Sequence, residues 1–575
     1  MPKVFMLSKV NDFLLLTGTR RISLAALSIS AVASGALNIA LVSLVGETLR
    51  HASQVDLPWH FWQFLLGVLL YLLVLGYLQI SVVRISELAA AAVRRRFAEQ
   101  LFRAPLIDSE RVSHHLKQAV MGRDANIVAA ALSSLIAVIA SVVTVIGGLV
   151  YLFMLSAQAA AAVCIVIVAT VVLYQIYLNR LSKPLGRAFE INDEFFGFSE
   201  DLIRGAKELK LDSRFSVRFM HDDLFSSLDR ATSALIDVKV RQQNAGLVSA
   251  IAFFLLIGVT AFVHRIYGGF DPALAMSFVL TLLFLNMPIQ NAIMRLPVLG
   301  EAMVALRRIR ELQGRLGREA EQRKPRGGAA FPADWRHLEL RHVGFRYDAD
   351  GDHRFGLRDV GLVVERGDLV FIVGGNGSGK TTLSKIIMGL YVPTNGEILL
   401  DGQPVSDDFP AYRDQFNAVF SDAYLFARDP AALDTGSRWR FDGLVRELKL
   451  APRMQRNGRL DVKALSQGQC KRLALALALS EDKPIHFFDE WTADQDPEFR
   501  AYFYETFLPR LRAEGKTIFV ISHDDRFHHR ADLLVRMDAG RIHSVERNGS
   551  PRPEQGRGAS DVYPVRDDER APNIE

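Results

Sequence analysis

Six apolar stretches that contain no Asp, Glu, Lys or Arg dominate the first half of the chain, at residues 22–45, 59–83, 127–155, 157–178, 245–263 and 272–294. Each is roughly twenty residues or more, enough to cross a hydrocarbon layer as a helix. One such run could be a buried helix of a soluble core, but six predict a membrane domain. The third and fourth are separated only by Ser156, which reads as a tight turn at one membrane face. Between the runs, 84–126 and 179–244 are long and dense in Arg and Lys. In 84–104, Leu88, Val93, Phe97 and Leu101 recur at helical spacing, so these segments are expected to prolong the membrane helices. Breaks are expected near Gly122-Arg123-Asp124 and Leu211-Asp212-Ser213. Beyond about residue 338 the period shortens. Short β-rich runs at 338–343, 361–364, 369–373, 398–400, 418–420, 485–488 and 517–521 alternate with helical patterns, which predicts an α/β domain. The expected division is 1–312 transmembrane, 313–334 linker, 335–545 α/β domain and 546–575 a polar, disordered tail.

The basic residues set an orientation. Lys3, Lys9, Arg20 and Arg21 precede the first run, and the two long loops are basic, whereas 47–58 holds only Arg50 and the loop around Gly268 only Arg265. Both termini and both long loops are therefore expected on the cytoplasmic side. Composition agrees with a membrane protein, with half of the 575 residues hydrophobic and a mean hydropathy of +0.14. Net charge is +5, from 68 basic and 63 acidic residues, a balance that gives no sign of a nucleic-acid partner. The two cysteines, Cys164 and Cys470, belong to no metal-spaced cluster.

Chemistry concentrates in the second half. The run 369–373 leads into Gly374-Gly375-Asn376-Gly377-Ser378-Gly379-Lys380-Thr381-Thr382 and then a helical pattern, the strand–loop–helix of a phosphate-binding loop. Its glycines turn backbone N–H groups onto phosphate, Lys380 reaches the β/γ-phosphates, and the Thr381 hydroxyl suits Mg²⁺. The apolar run ending in Asp489-Glu490 supplies a second acidic pair. Asp489 is expected to hold the Mg²⁺ shell and Glu490 to act as general base. His486 reads as a satisfied core histidine. In the sixth run Asn286, Gln290 and Asn291 are polar within a span. They line a transport path or make interhelical hydrogen bonds, and Pro288 between them is expected to kink the helix. Trp59 and Trp62 sit where an interfacial aromatic belt belongs.

Between the two acidic and glycine-rich motifs lies Leu465-Ser466-Gln467-Gly468-Gln469. Here the chain resembles the ATP-binding-cassette family, whose signature at this point is Leu-Ser-Gly-Gly-Gln. The resemblance implies a multi-domain exporter, with an all-α six-helix transmembrane domain of type IV followed by an α/β P-loop domain. It also implies ATP and Mg²⁺ as ligands. Ser466, Gln467, Gly468 and Gln469 then serve a γ-phosphate held by a second copy of the chain, Tyr347 stacks on adenine, His523 is the switch histidine, and Asp496 ends the loop that crosses the dimer interface. Two positions depart from the family, Gln467 for glycine and Ser421 for the usual glutamine. Serine is too short to reach a metal as glutamine does, so water or Asp422 is the alternative ligand to Ser421. Phe420-Ser421-Asp422 and Asp489-Glu490-Trp491-Thr492-Ala493-Asp494-Gln495-Asp496-Pro497 resemble the cyclic-peptide exporter subfamily, transporters of syringomycin-type lipopeptides, pyoverdine-type siderophore precursors and a lasso-peptide microcin. That implies a homodimeric half-transporter in the bacterial inner membrane, surrounded by lipid and carrying a peptide-like substrate. Exporters of other substrates, importers of the same fold and ATP-gated channels share these motifs.

Overall fold

The computed structural model describes residues 21–50, 57–266, 272–317, 331, 334–347, 355–422, 424–426, 433–450, 460–462 and 465–548. The chain divides into two compact units, Met1–Gln322 and Arg323–Glu575, a boundary that falls inside the stretch read as a linker.

The first unit is helical. Its six long helices are α1 (Arg21–Arg50), α2 (Leu57–Arg103), α3 (Ala125–Leu155), α4 (Ala157–Arg204), α5 (Ser226–Ile266) and α6 (Pro272–Gly317), one for each apolar run. Four stretches among the described residues, Ala25–Thr48, Pro58–Arg103, His114–Leu155 and Met276–Leu316, are long and apolar enough to cross a membrane. Outward-facing Trp59 and Trp62, 59% and 62% exposed, occupy the first turns of α2. The helices pack where small residues let them approach. A Cβ on Gly148 of α3 would stand 2.4 Å from Leu285 of α6, so glycine is what admits that leucine. Leu152, Val163, Phe253, Phe278, Leu282, Leu285 and Ile289 then form a core shared by α3, α4, α5 and α6.

The segments between the apolar runs, expected to prolong the long helices, are helical, with one difference from the expected breaks. Gly122-Arg123-Asp124 is not a break; it belongs to a π-helical turn, Val120–Asp124, that runs directly into α3. The chain turns earlier, at Pro105 and at Val112-Ser113, where backbone angles are extended. The expected break at Leu211-Asp212-Ser213 is present. Asp212 leaves the helix and its carboxylate accepts from the amides of Arg214 and Phe215 at 2.9 and 3.0 Å. Buried Asp124 belongs to an ionic network that joins three helices. Arg123 lies 3.2 Å from Asp193 of α4, and Arg308 of α6 lies 3.0 Å from the same carboxylate. The last helix is continuous through Pro288 and Pro297 and ends at Gly317, five residues into the expected linker. Residues 318–330 of that linker lie outside the described residues.

The second unit holds two sheets. One is antiparallel, in the order β2-β1-β4-β5, with β1 His337–Arg346, β2 Gly356–Glu365, β4 Asn395–Leu400 and β5 Gln403–Pro404. The other is mainly parallel, β10-β9-β3-β8-β7-β6, with β3 Leu369–Gly374, β6 Phe416–Val419, β7 Ile485–Asp489 and β8 Thr517–Ile521. The periodicity reading lacks the hairpin of β9 (Leu533–Asp538) and β10 (Arg541–Arg547). Its signal was the turn Ala539-Gly540, both at positive φ (43° and 79°), which closes a two-residue hairpin. Because β10 runs to Arg547, the folded domain extends past 545, and 549–575 lie outside the described residues. The interior strands β3, β7 and β8 are buried on both faces, which explains their unbroken apolar sequence.

His486, inside β7, is a correction. It is 2% exposed, as a core residue should be, but neither ring nitrogen has a hydrogen-bond partner among the described residues. Burial first, and the nearby Lys516 charge second, push its pKa down to about 3 from an ordinary 6.5. The ring therefore stays neutral when folded, while the unfolded chain gains a proton below pH 6.5. Stability from this site is complete above that value and is lost as pH falls from there towards 3. His486→Phe, which keeps the flat ring beside Phe488, is expected to stabilise this unit by about 1 kcal/mol at pH 7. It should also flatten the acid side of the unfolding midpoint, followed in the solubilised full chain from pH 5 to 8.

Candidate functional site

The phosphate loop is built at the end of β3. Gly374 passes so close to the next strand that a Cβ would stand 2.3 Å from the Met537 carbonyl. Gly379 has φ +103°, a left-handed conformation that only glycine adopts without strain, and it opens α7 (Lys380–Ile387). Lys380 is buried, 6% exposed, and its ammonium donates to the carbonyls of Gly374 and Gly375 at 2.9 and 3.0 Å. The Ser378 hydroxyl is buried with no partner among the described residues, an unmet donor in the phosphate cradle. Thr381, at the first turn of α7, is exposed.

Parallel pairing brings the acids to this loop. In register, Asp489 at the end of β7 lies opposite Ile521 at the end of β8, so Glu490 and His523 leave neighbouring strand ends. Glu490 adopts φ +46°, and the strained turn aims its carboxylate at His523, with Oε1 hydrogen-bonded to Nε2 at 2.9 Å. Burial, then the Glu490 charge, push the Asp489 carboxyl above the usual carboxylate range, and Asp422 adds to this. The Ser421 hydroxyl opposes it by donating to Asp489 at 3.4 Å. Ser421 thus braces the acid expected to meet the metal. A divalent cation would neutralise the crowded charge of Asp489, Glu490 and Asp422, so the donor set fits Mg²⁺. Among the described residues no group of three His, Cys, Asp or Glu side chains is placed to hold a metal ion.

The aromatic Tyr347 stands beside the start of α7, its hydroxyl sharing a 3.0 Å hydrogen bond with Thr382 and its ring edge-on to Phe345 and Tyr391. After α8 (Thr435–Glu447), the signature begins α9 (Gln467–Ala478). Ser466 caps it reciprocally, its Oγ accepting from the Gln469 amide at 3.3 Å while Gln469 Oε1 accepts from the Ser466 amide at 3.0 Å. Gln467, the departure from glycine, is exposed at the first position of the helix. Asp496 caps α10 (Pro497–Tyr502) by accepting from the Phe499 amide at 2.8 Å. Sequence reasoning missed the support behind His523. Thr492, Tyr504 and Ser522 form a buried chain of hydroxyls at 3.1 and 2.7 Å, joined only by folding.

In the helical unit, Asn286 is half-buried, and its amide oxygen has no hydrogen-bond partner among the described residues. Gln290 is half-buried and Asn291 exposed, flanking the buried stripe of Leu282, Leu285, Ile289 and Ile293.

Residues 357–493 match the family model for the ABC transporter. The chain is 34% identical over 369 residues to the ATP-binding protein SyrD of Pseudomonas syringae pv. syringae, a match covering 61% of this chain and 65% of that one. It is 28% identical over 386 residues to the ATP-dependent lipid A-core flippase of Alkalilimnicola ehrlichii, covering 63% of each. Less than two thirds of either relative's length is therefore spanned. A bacterial Atm1-family ABC exporter with ATP bound has the same fold, with a TM-score of 0.76, 18% identity, and coverage of 91% of this chain and 95% of that one. Residues 357–493 are thus an ABC-transporter ATP-binding domain, and the chain as a whole has the fold of an ABC exporter.

Proposed function

We propose that the chain is one half of an ATP-driven exporter that carries a peptide-like substrate, a non-ribosomal or cyclic peptide, a siderophore or its precursor, out of the bacterial cytoplasm across the inner membrane. The observation that carries the ATPase reading is the Glu490–His523 hydrogen bond at the end of the strand beside the phosphate loop. Lys380, Ser378 and the loop amides bind the β/γ-phosphates, Tyr347 takes the adenine, and Thr381 with Asp489 would hold Mg²⁺, which supplies charge neutralisation at the transferred phosphoryl group. Glu490 accepts the proton of the attacking water, and His523 orients that carboxylate and the γ-phosphate. Ser466, Gln467, Gly468 and Gln469 complete the site on a second copy, so two copies enclose two ATP molecules. Cassette closure opens the membrane dimer outward, and hydrolysis resets it. Both termini face the cytoplasm in this arrangement, with lipid around the helices.

The peptide assignment rests on the subfamily motifs around Ser421 and Asp489–Pro497, together with an identity to SyrD of 34% against 28% to the lipid A-core flippase. That flippase likeness supports a lipid as the second reading. Asn286, Gln290 and Asn291 are the proposed polar contacts of the path. Vesicles containing the purified chain are expected to accumulate a peptide siderophore only with ATP and Mg²⁺ on the cassette side. Metabolite profiling of a deletion strain identifies the peptide that builds up inside. Accumulation of lipid instead of peptide, or ATP-gated flow down a gradient in either direction, overturns the proposal.

A further inference from the structure

The loop that follows Asp489 and Glu490 is fastened to the signature of its own chain. Trp491, 2% exposed, donates from Nε1 to the Lys471 carbonyl at 3.0 Å. The Lys471 ammonium, on a side chain 8% exposed, returns to Asp494 at 2.6 Å. Buried Gln495 donates from Nε2 to the Gly468 carbonyl at 3.3 Å. A Cβ on Gly468 would stand 3.1 Å from the Asp494 carbonyl, so the loop backbone lies directly against the signature glycine. These contacts converge on the first turn and a half of α9, whose cap Ser466 and first residue Gln467 are exposed.

We infer that Lys471, Asp494 and Gln495 are positioning residues for the shared ATP site. They lie outside the phosphate loop, and their contacts run to the signature segment. They set where Ser466 and the first amides of α9 stand when the signature meets a γ-phosphate on the second copy. The inference rests on the half-site reading above. Its physical basis is that the cap fixes the helix start only relative to itself, whereas the ion pair and the Gln495 bond fix it relative to the strand that carries Asp489. Placement errors near 1 Å in such a constellation cost up to about 10²-fold in rate. A purely structural brace would change stability alone.

The test uses the full chain in detergent or nanodiscs. Asp494→Asn and Lys471→Gln are expected to slow ATP hydrolysis at saturating ATP by about tenfold. Their affinity for a non-hydrolysable ATP analogue is expected to stay within about twofold of the parent, because the phosphate loop is untouched. Lys471→Arg, which keeps the pair, recovers most of the rate. Hydrogen exchange of the peptide spanning 465–472 rises in the first two variants and not in the third. If the ion-pair variants unfold at assay temperature, Gln495→Leu removes only the bond to Gly468 and is read by the same split. Parent-like hydrolysis and exchange in folded Asp494→Asn and Lys471→Gln overturn the inference, as does equal loss in Lys471→Arg and Lys471→Gln. A parent chain that hydrolyses no ATP defeats the function reading alone, since the exchange measurement still decides the positioning role.

Discussion

Glu490→Gln is expected to abolish steady-state ATP hydrolysis while leaving ATP binding intact. The amide is nearly isosteric and still meets His523 at the distance seen for the carboxylate, 2.9 Å. It cannot accept a proton from water. Loss of a positioned general base removes about 10²- to 10⁴-fold in rate. The phosphate-binding groups lie on a different strand end, so equilibrium titration with ATP should give an affinity close to the parent. Phosphate release at near-normal rates in this variant refutes the base assignment. His523→Ala tests the same pair from the other side and should reduce the rate while leaving ATP affinity close to the parent.

Lys380→Ala fails earlier, at binding. The buried ammonium is the loop's own cation, held 2.9 and 3.0 Å from two loop carbonyls and thus already aimed along the cradle. Removing a charged hydrogen-bond donor costs about 1.5–3 kcal/mol. That corresponds to roughly 10- to 100-fold in Kd. Equilibrium titration of the full chain checks it, and an unchanged Kd with lost hydrolysis would move Lys380 from ground-state binding to the transition state alone. The two variants thus separate the two halves of the site, one that holds phosphate and one that breaks the bond.

Much of this site was legible because its parts are local. Gly374–Thr381 is a single loop between a strand and a helix, and the Ser466–Gln469 capping box closes over three residues. Apolar run length sufficed for the six long helices, and helical period for the prolongation of α2 to Arg103. The expected break at Gly122-Arg123-Asp124 failed because glycine within a helix is only a modest penalty, and packing of Val120 and Val128 against Leu306 and Ile309 keeps the turn helical. His486 was misread for a related reason. Strand periodicity places a residue inside, but whether its polar atoms find partners depends on what the neighbouring strands present, here Asn417 and Ile518 in register.

Ser421 illustrates the same boundary. The motif comparison marked it as a departure and left its metal role open. Its contact with Asp489 joins positions 68 residues apart. The Arg123–Asp193–Arg308 network, the Thr492–Tyr504–Ser522 hydroxyls and the Lys471–Asp494 pair are likewise invisible to any window of sequence.

By itself the sequence determined the six long helices of the first unit, the glycine-rich loop between β3 and α7, the acidic strand end and the helix capped by Ser466, since each rests on apolar run length or on bonds spanning a few residues. The tertiary structure alone decided that β7 lies beside β8 and β3 beside both β8 and β9, and hence which side chains share a site. Strand order and register are set by burial of the whole sheet rather than by any one segment, so chemistry that depends on two distant strands or loops appears only when the sheet has closed.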